Sequence, residues 1–247
     1  MKDVAWDLHR ESIIIDGLFA PHITHRVAKA KLKEGVLQRL VEGGLTAANY
    51  TTAVFESFPL AVKRVIEVHS LVENYPEHLA LVSKPEDILR AKSEGKFGFI
   101  IGFQNAEPVE HEVQYLRAFS KLGLRILQLT YNERNLLGDG CQERYDSGLS
   151  KFGLDVVAEA NRLGVLVDLS HVGVRTSMDA IAASRDPVVF SHSNSRALAD
   201  NPRNITDEQL RAVAEKDGLV GVNAFPEFCS KKPNVTIEDW LNHVDYY

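Results

Sequence analysis

Two histidines each close a short apolar run: Val165-Leu166-Val167-Asp168-Leu169-Ser170-His171 and Val188-Val189-Phe190-Ser191-His192-Ser193. Imidazole nitrogens are borderline-soft donors that suit zinc, and two of them at matching depth on nearby strands can point at one ion. The same spacing also suits two core histidines satisfied by protein partners, and spacing alone leaves the two readings level. Arg203, in the turn Asn201-Pro202-Arg203-Asn204, carries the planar fork that grips a carboxylate through two parallel bonds. A surface or loop-tying arginine is the commoner use of such a residue, and Arg196 is a weaker candidate by the same argument. Asp168 shares the strand of His171 and reads as a supporting carboxylate. The other seven histidines (His9, His22, His25, His69, His78, His111 and His243) fall in predicted loops or on helix faces and read as solvated or capping groups.

These residues need elements to position them, and the chain alternates two periodicities. β-Branched or apolar runs occur at residues 12–17, 45–51, 97–103, 124–131, 165–171, 187–193 and 218–225, with a weaker one at 78–83. Near-continuous apolar character is what a strand buried on both faces requires, so the runs read as parallel sheet. Helical spacing lies between them, as in Leu60–Tyr75 and Asp155–Leu163. Lys84-Pro85-Glu86-Asp87 opens one helix and Thr206-Asp207-Glu208-Gln209 has the form of a capping box, while Gly123 and Gly164 close others. Repeated strand and helix give an α/β protein with right-handed crossovers.

The chain shows no glycine-rich dinucleotide fingerprint, phosphate loop or nucleophile elbow. Polar residues instead end successive runs: Asp16, Asn49, Gln104, Tyr131, His171 and His192. That is where a TIM barrel builds its site. The expected fold is therefore a TIM-like (β/α)8 barrel of the metal-dependent hydrolase type, one domain over residues 1–247. Seven firm runs against the eight a closed barrel needs, and a final helix bearing Trp240, Leu241 and Val244 with no strand after it, predict a barrel lacking its eighth strand and incomplete at the C-terminus.

Composition narrows the class. The 247 residues are 45% hydrophobic and 25% charged with a net charge of -6; mild acidity argues against a nucleic-acid or anionic-membrane surface, which needs a basic stripe. Two cysteines, Cys141 and Cys229, are too few for a disulfide framework. With no long apolar run and no secretory leader pattern, the expected setting is the cytoplasm. The oligomeric state is open, a homodimer included.

The stretch from Leu122 to Phe225 resembles the membrane (renal) dipeptidase family, metal-dependent peptidases on a TIM-like barrel. The matching residues are Gly148-Leu149-Ser150 with Gly153, Val156-Val157, Asn161-Arg162-Leu163-Gly164, Asp168-Leu169-Ser170-His171-Val172, Ser191-His192-Ser193, Arg196-Ala197-Leu198 and Pro202-Arg203-Asn204-Ile205. The first hundred residues match more weakly, through Asp16-Gly17 and the strand ending in Gln104. The resemblance implies that His171 and His192 hold one zinc of a binuclear pair and that Arg203 anchors the substrate's carboxylate. The reaction it implies is attack of a metal-bound hydroxide on a dipeptide.

Departures from the family pattern alter that expectation. Leu18 and Ala20 stand where the family's first strand supplies a histidine and an aspartate, Gln104 replaces its bridging glutamate, and Tyr131 replaces a histidine. The polar, glycine-rich segment Asn132–Cys141 is similar to that of a bacterial branch in which the tyrosine and glutamine travel together, and it suits a loop covering the barrel mouth. The expected activity is hydrolysis of a dipeptide or similar small amide with a free carboxylate, with one zinc at His171 and His192. Arg203 and Gln104 would contact the substrate, and Asp16 and Tyr131 are the candidates to replace missing catalytic groups. The alternative is a metal-deficient barrel that binds a small carboxylate or acts as a non-catalytic subunit.

Overall fold

The computed structural model describes residues 2–20, 39 and 42–247; His22 and His25 lie outside them. In chain order the elements are α1 (Lys2–Glu11), β1 (Ile15–Phe19), β2 (Ala47–Ala53), α2 (Phe58–Asn74), β3 (Leu79–Leu81), α3 (Pro85–Ser93) and β4 (Phe97–Phe103). A 3-10 turn (Glu107–Val109), α4 (Val113–Lys121), β5 (Leu124–Gln128), α5 (Lys151–Leu163), β6 (Leu166–Asp168) and α6 (Val174–Ala183) follow. The chain continues through β7 (Val188–Phe190), α7 (Asp207–Glu215), β8 (Leu219–Val220), α8 (Pro226–Cys229) and α9 (Ile237–Tyr246).

All strand pairs are parallel and run β1-β2-β4-β5-β6-β7-β8. The weak run near His78 is a strand after all, but it does not lengthen this path. β3 pairs with the start of β4 (Leu79 with Phe97, Leu81 with Phe99), and β5 takes over from Ile101 onward. The sheet therefore curls through seven strands, and among the described residues no strand covers the outer edge of β1 or β8. Curling brings β1 to the end of β7, where β8 already lies by pairing. A Cβ on Gly17 of β1, or on Gly221 just after β8, would collide with the carbonyl oxygen of Ser191 at the end of β7. Glycine is the residue that allows this approach.

Strand alternation sorts the side chains into two layers. Phe97, Phe99, Ile101 and Phe103 of β4 face the helices, where they share a core with Val65 and Val68 of α2 and Leu116 and Phe119 of α4. Their neighbours face inward. Ala47, Ile100 and Ile126 form an apolar plug with Val82, and further along the strands, on that same face by register, come Asn49, Thr51, Gln104 and Gln128. A dry floor thus lies beneath a polar belt.

The helix signals hold where capping chemistry is local. Gly164 ends α5 in the left-handed region (φ 65°) after Ser150 caps its start, and Thr206 and Gln209 form the reciprocal box that opens α7. The last helix departs from expectation at His243, read as solvated or capping. Leu241 and Val244 of α9 are 37% and 42% exposed, and the face it buries carries Asp239 and His243 instead. No helix among the described residues is long and apolar enough to cross a membrane.

Glu159 of α5 ties two helices. It is 7% exposed and accepts hydrogen bonds from Arg162 on its own helix (2.7 Å) and from Arg117 of α4 (2.5 Å). Hydrogen bonds from Arg162, and then from Arg117, hold its carboxyl down to about 2 from an ordinary 4.5. The depressed value means that this contribution is present above the unfolded-state pKa and is lost as pH falls towards the folded value. Both arginines are half exposed, so the contribution is discounted to about 1 kcal/mol. Glu159→Gln is expected to lower stability near neutrality by about that amount and to flatten the acid limb below pH 4.5, as read from urea midpoints across that range.

Candidate functional site

The site grows from the ends of β6 and β7. Asp168, the last residue of β6, is buried and accepts the backbone amides of Ser170 and Ser191 on one oxygen (3.0 Å each) and the Ser191 hydroxyl on the other (2.5 Å). The Ser170 hydroxyl in turn accepts the His192 amide at 3.1 Å. One carboxylate thus welds two strand ends, as the sequence anticipated for a supporting group. His171 then turns into the left-handed region with φ 65°, which few non-glycine residues adopt, although histidine does so more readily than most. Its carbonyl is held by the Cys141 amide at 2.8 Å.

This frame brings the two imidazoles together nitrogen to nitrogen, with their planes tilted by 56°. His171 Nε2 lies 3.0 Å from His192 Nε2. On the far side of each ring, His192 Nδ1 is 2.7 Å from the Ser191 hydroxyl and His171 Nδ1 is 2.7 Å from Asn132 Oδ1. Tyr131 stacks on His171 at 4.2 Å and 20°, and Phe55 meets Tyr131 edge-on at 5.4 Å. Burial, reinforced by the Arg203 charge and for His171 also by His192, drives both histidines well below the ordinary imidazole pKa. Neutral imidazole is the form that ligates metals. Two nitrogens 3.0 Å apart are closer than twice the usual zinc–nitrogen length of about 2.0–2.1 Å, so both can reach one ion. Among the described residues no group of three or more His, Cys, Asp and Glu side chains gathers around a metal position.

Arg203 lies behind His192 and is 3% exposed. It donates through Nη1 to the Ser193 hydroxyl (2.8 Å) and through Nη2 to the His192 carbonyl (2.6 Å), while its buried Nε–H has no protein partner. Burial pulls its pKa down to about 10, so it stays charged at neutrality. Arg196 ties its own loop by donating to the Pro202 carbonyl.

Gln104, directly after β4, donates to Thr51 Oγ1 at 2.9 Å, and its carbonyl accepts from Gln128. Its surroundings hold three buried oxygens without protein partners, on Asn49, Gln128 and Thr130. Asp16 is placed differently. Register sets it beside Ala48, on the face turned to the helices, whereas Gly17 lies beside Asn49, whose amide donates to the Gly17 carbonyl. Burial raises the Asp16 carboxyl pKa while the Leu18 amide bonded to it opposes the shift. No hydrogen bond among the described residues joins Asp16 to the imidazole pair. The structure therefore brings His171, His192, Tyr131 and Arg203 together, puts Gln104 in the polar belt, and sets Asp16 apart.

Two contributors were not read as site residues, although Asn132 opens the segment expected to cover the barrel mouth. Asn132 sits in a loop whose position comes from long-range bonds. Asp146 in that loop accepts the Arg175 and Thr176 amides of α6, and Asp139 accepts the Ser147 amide. His243, expected to be solvated or capping, is fully buried in α9. Its Nδ1 accepts the Ser195 amide at 3.1 Å and its Nε2 donates to the Cys229 carbonyl at 3.0 Å, which braces the segment carrying His192 and Arg203.

Comparison with known proteins places this geometry. A family model described as membrane dipeptidase (peptidase family M19) matches residues 2–247. An uncharacterized dipeptidase of Schizosaccharomyces pombe is 32% identical over 207 residues, covering 79% of this chain and 50% of its own. A dipeptidase of Clonostachys rogersoniana is 29% identical, covering 78% and 50%. The chain thus spans about half the length of the curated relatives it matches. Among solved structures, an amidohydrolase from Pseudomonas aeruginosa superposes with TM-score 0.90 at 40% identity, over 98% of this chain and 71% of that one. A metallo peptidase from Rhodobacter sphaeroides, liganded with a phosphinate mimic of L-Ala-D-Ala, shares the fold with TM-score 0.84 at 22% identity, over 95% and 81%.

The Asp168–Ser191–His192 chain has a measurable cost of removal. Ser191→Ala leaves a buried carboxylate oxygen and an imidazole nitrogen short of a partner, and is expected to destabilise by about 1–3 kcal/mol. Urea unfolding of the variant against the parent checks it, and an unchanged midpoint would show that the chain carries no weight.

Proposed function

The chain belongs to the membrane dipeptidase family, peptidase family M19, and from that premise we propose that it works as a metal-dependent hydrolase on a dipeptide or similar small amide with a free carboxylate. The observation that carries this reading is the pair of Nε2 atoms converging at 3.0 Å with both far nitrogens engaged by oxygens. Such outer-shell bonding is typical of metal-ligating histidines. In this reading His171 and His192 hold one divalent cation, zinc, which when bound acidifies water and polarises the scissile carbonyl. That the R. sphaeroides structure bears a dipeptide mimic supports a substrate of this class.

The chain's own residues supply the rest. Arg203 offers a charged fork with an unspent Nε–H next to His192, suited to fixing the substrate's carboxylate at a set distance from the pair. Tyr131 lies on the outer face of His171; burial raises the pKa of its phenol, keeping it a proton-bearing donor toward a reacting oxygen. Gln104 adds a neutral amide to the belt, and Asp16, set on the other face, would take part only through a rearrangement of β1.

A second reading has its own support. Leu18, Ala20 and Gln104 replace metal-binding types, and no third ligand of that kind gathers among the described residues. The site would then bind a small carboxylate without metal.

Metal analysis after dialysis, run beside a dipeptide hydrolysis panel on the intact protein, separates the two. The hydrolase reading expects about one zinc per chain, loss of that zinc in His192→Ala, and cleavage abolished by chelator. Retention of no metal together with no cleavage would overturn it, and ligand-induced thermal stabilisation persisting in excess chelator would favour the metal-free binder. Arg203→Lys, which exchanges a fork for a point charge, is expected to raise KM at least about tenfold with a smaller effect on kcat.

A further inference from the structure

We propose that the side-chain amide of Asn132 is a positioning latch that sets the tautomer of His171 and thereby decides whether the imidazole pair opens to a cation or closes on itself. The inference rests on the reading of the pair as a cation site, but its first consequence is visible in metal-free protein.

Ser191 settles the proton of His192 first. The Ser191 hydroxyl lies 2.5 Å from Asp168 Oδ2 and donates its hydrogen bond to that carboxylate, so at 2.7 Å from His192 Nδ1 it can only accept. His192 therefore carries its proton on Nδ1 and presents a bare Nε2. The state of His171 depends on what faces its own Nδ1, and that is Asn132 Oδ1 at 2.7 Å. The Cys141 thiol also donates to this oxygen, at 3.7 Å. With the carbonyl facing inward, His171 too is protonated on Nδ1, and two lone pairs meet across 3.0 Å. That arrangement is unfavourable by itself and favourable around a positive ion.

The alternative is one rotation away. With Asn132 turned over, its NH2 faces His171 Nδ1, which must then accept, and the ring proton moves to Nε2. The same 3.0 Å separation becomes an ordinary N–H···N hydrogen bond, and the pair is shut. The backbone of Asn132 is fixed in either case. A Cβ on Gly140 would collide with the Asn132 carbonyl, and that carbonyl accepts the Gln142 amide at 2.9 Å. Only the amide end is free to choose. The pair itself contains no anion, so the latch lies in a neutral carboxamide on the mouth loop.

Long-range 15N–1H correlation spectra of the chelator-treated protein read the tautomers directly, and zinc and cobalt(II) titrations read the consequence. Asn132→Asp can only accept, so His171 is expected to stay protonated on Nδ1 and cation affinity to match or exceed the parent's. Asn132→Leu removes the acceptor at nearly constant volume; His171 is expected to move its proton to Nε2, and affinity to fall about 10–100-fold. If His171 shows the same tautomer in the two variants and both bind cations as the parent does, the latch is overturned. Should the parent bind neither cation while its two rings and the variants show the expected tautomers, the latch stands and the cation reading fails. The aspartate variant and the parent's own spectrum keep the test decisive if Asn132→Leu does not fold.

Discussion

The structure depends on one buried carboxylate. Asp168 accepts two backbone amides and a hydroxyl from the ends of two adjacent strands, and in doing so it fixes the depth and separation of the histidines beyond them and, through Ser191, the proton position on His192. A buried charge of this kind is tolerable only when its hydrogen-bonding capacity is filled. Both oxygens of Asp168 are occupied by groups belonging to the β6 and β7 ends, so stability and site geometry are set by the same bonds. Its supporting role follows from where its acceptors are committed.

The sheet supplies the second constraint. Alternation along β2, β4 and β5 puts aromatic and aliphatic residues against the helices and leaves an apolar plug below a polar belt inside. Pairing of β8 with β7 sets Gly221 against the Ser191 carbonyl, and curling brings Gly17 of β1 onto the same oxygen, so the start and the end of the sheet meet at the residue that also bonds Asp168 and His192. The left-handed turn at His171 is a local cost held by this surrounding framework, in keeping with strain concentrated where function requires an unusual geometry.

Much of this was legible in the chain. Doubly buried parallel strands declare themselves by continuous apolar runs, and the caps at Gly164 and Thr206–Gln209 act over a few residues, so local pattern suffices; the start of α5 at Lys151, four residues before the expected Asp155, does not show in that pattern. His171 and His192 stood out because each follows such a run. The failures have a common physical origin in long-range bonding. Asp16 ends up on the helix side because strand register, with an irregularity between Asp16 and Phe19, decides its face. The run at 78–83 looked weak because only three of its residues pair, beside the first part of β4. His243 is buried because distant Ser195 and Cys229 offer it partners, and nothing local to α9 reports them. Asn132 belongs to a loop placed by Asp139 and Asp146, and no periodicity reports that.

The central claim is that His171 and His192 share one cation. Anomalous X-ray scattering from crystals of the intact protein grown with zinc tests it most directly. The account predicts a single strong peak within about 2.0–2.1 Å of both Nε2 atoms. Rings that remain bonded to each other with no peak between them, at saturating zinc, would contradict it.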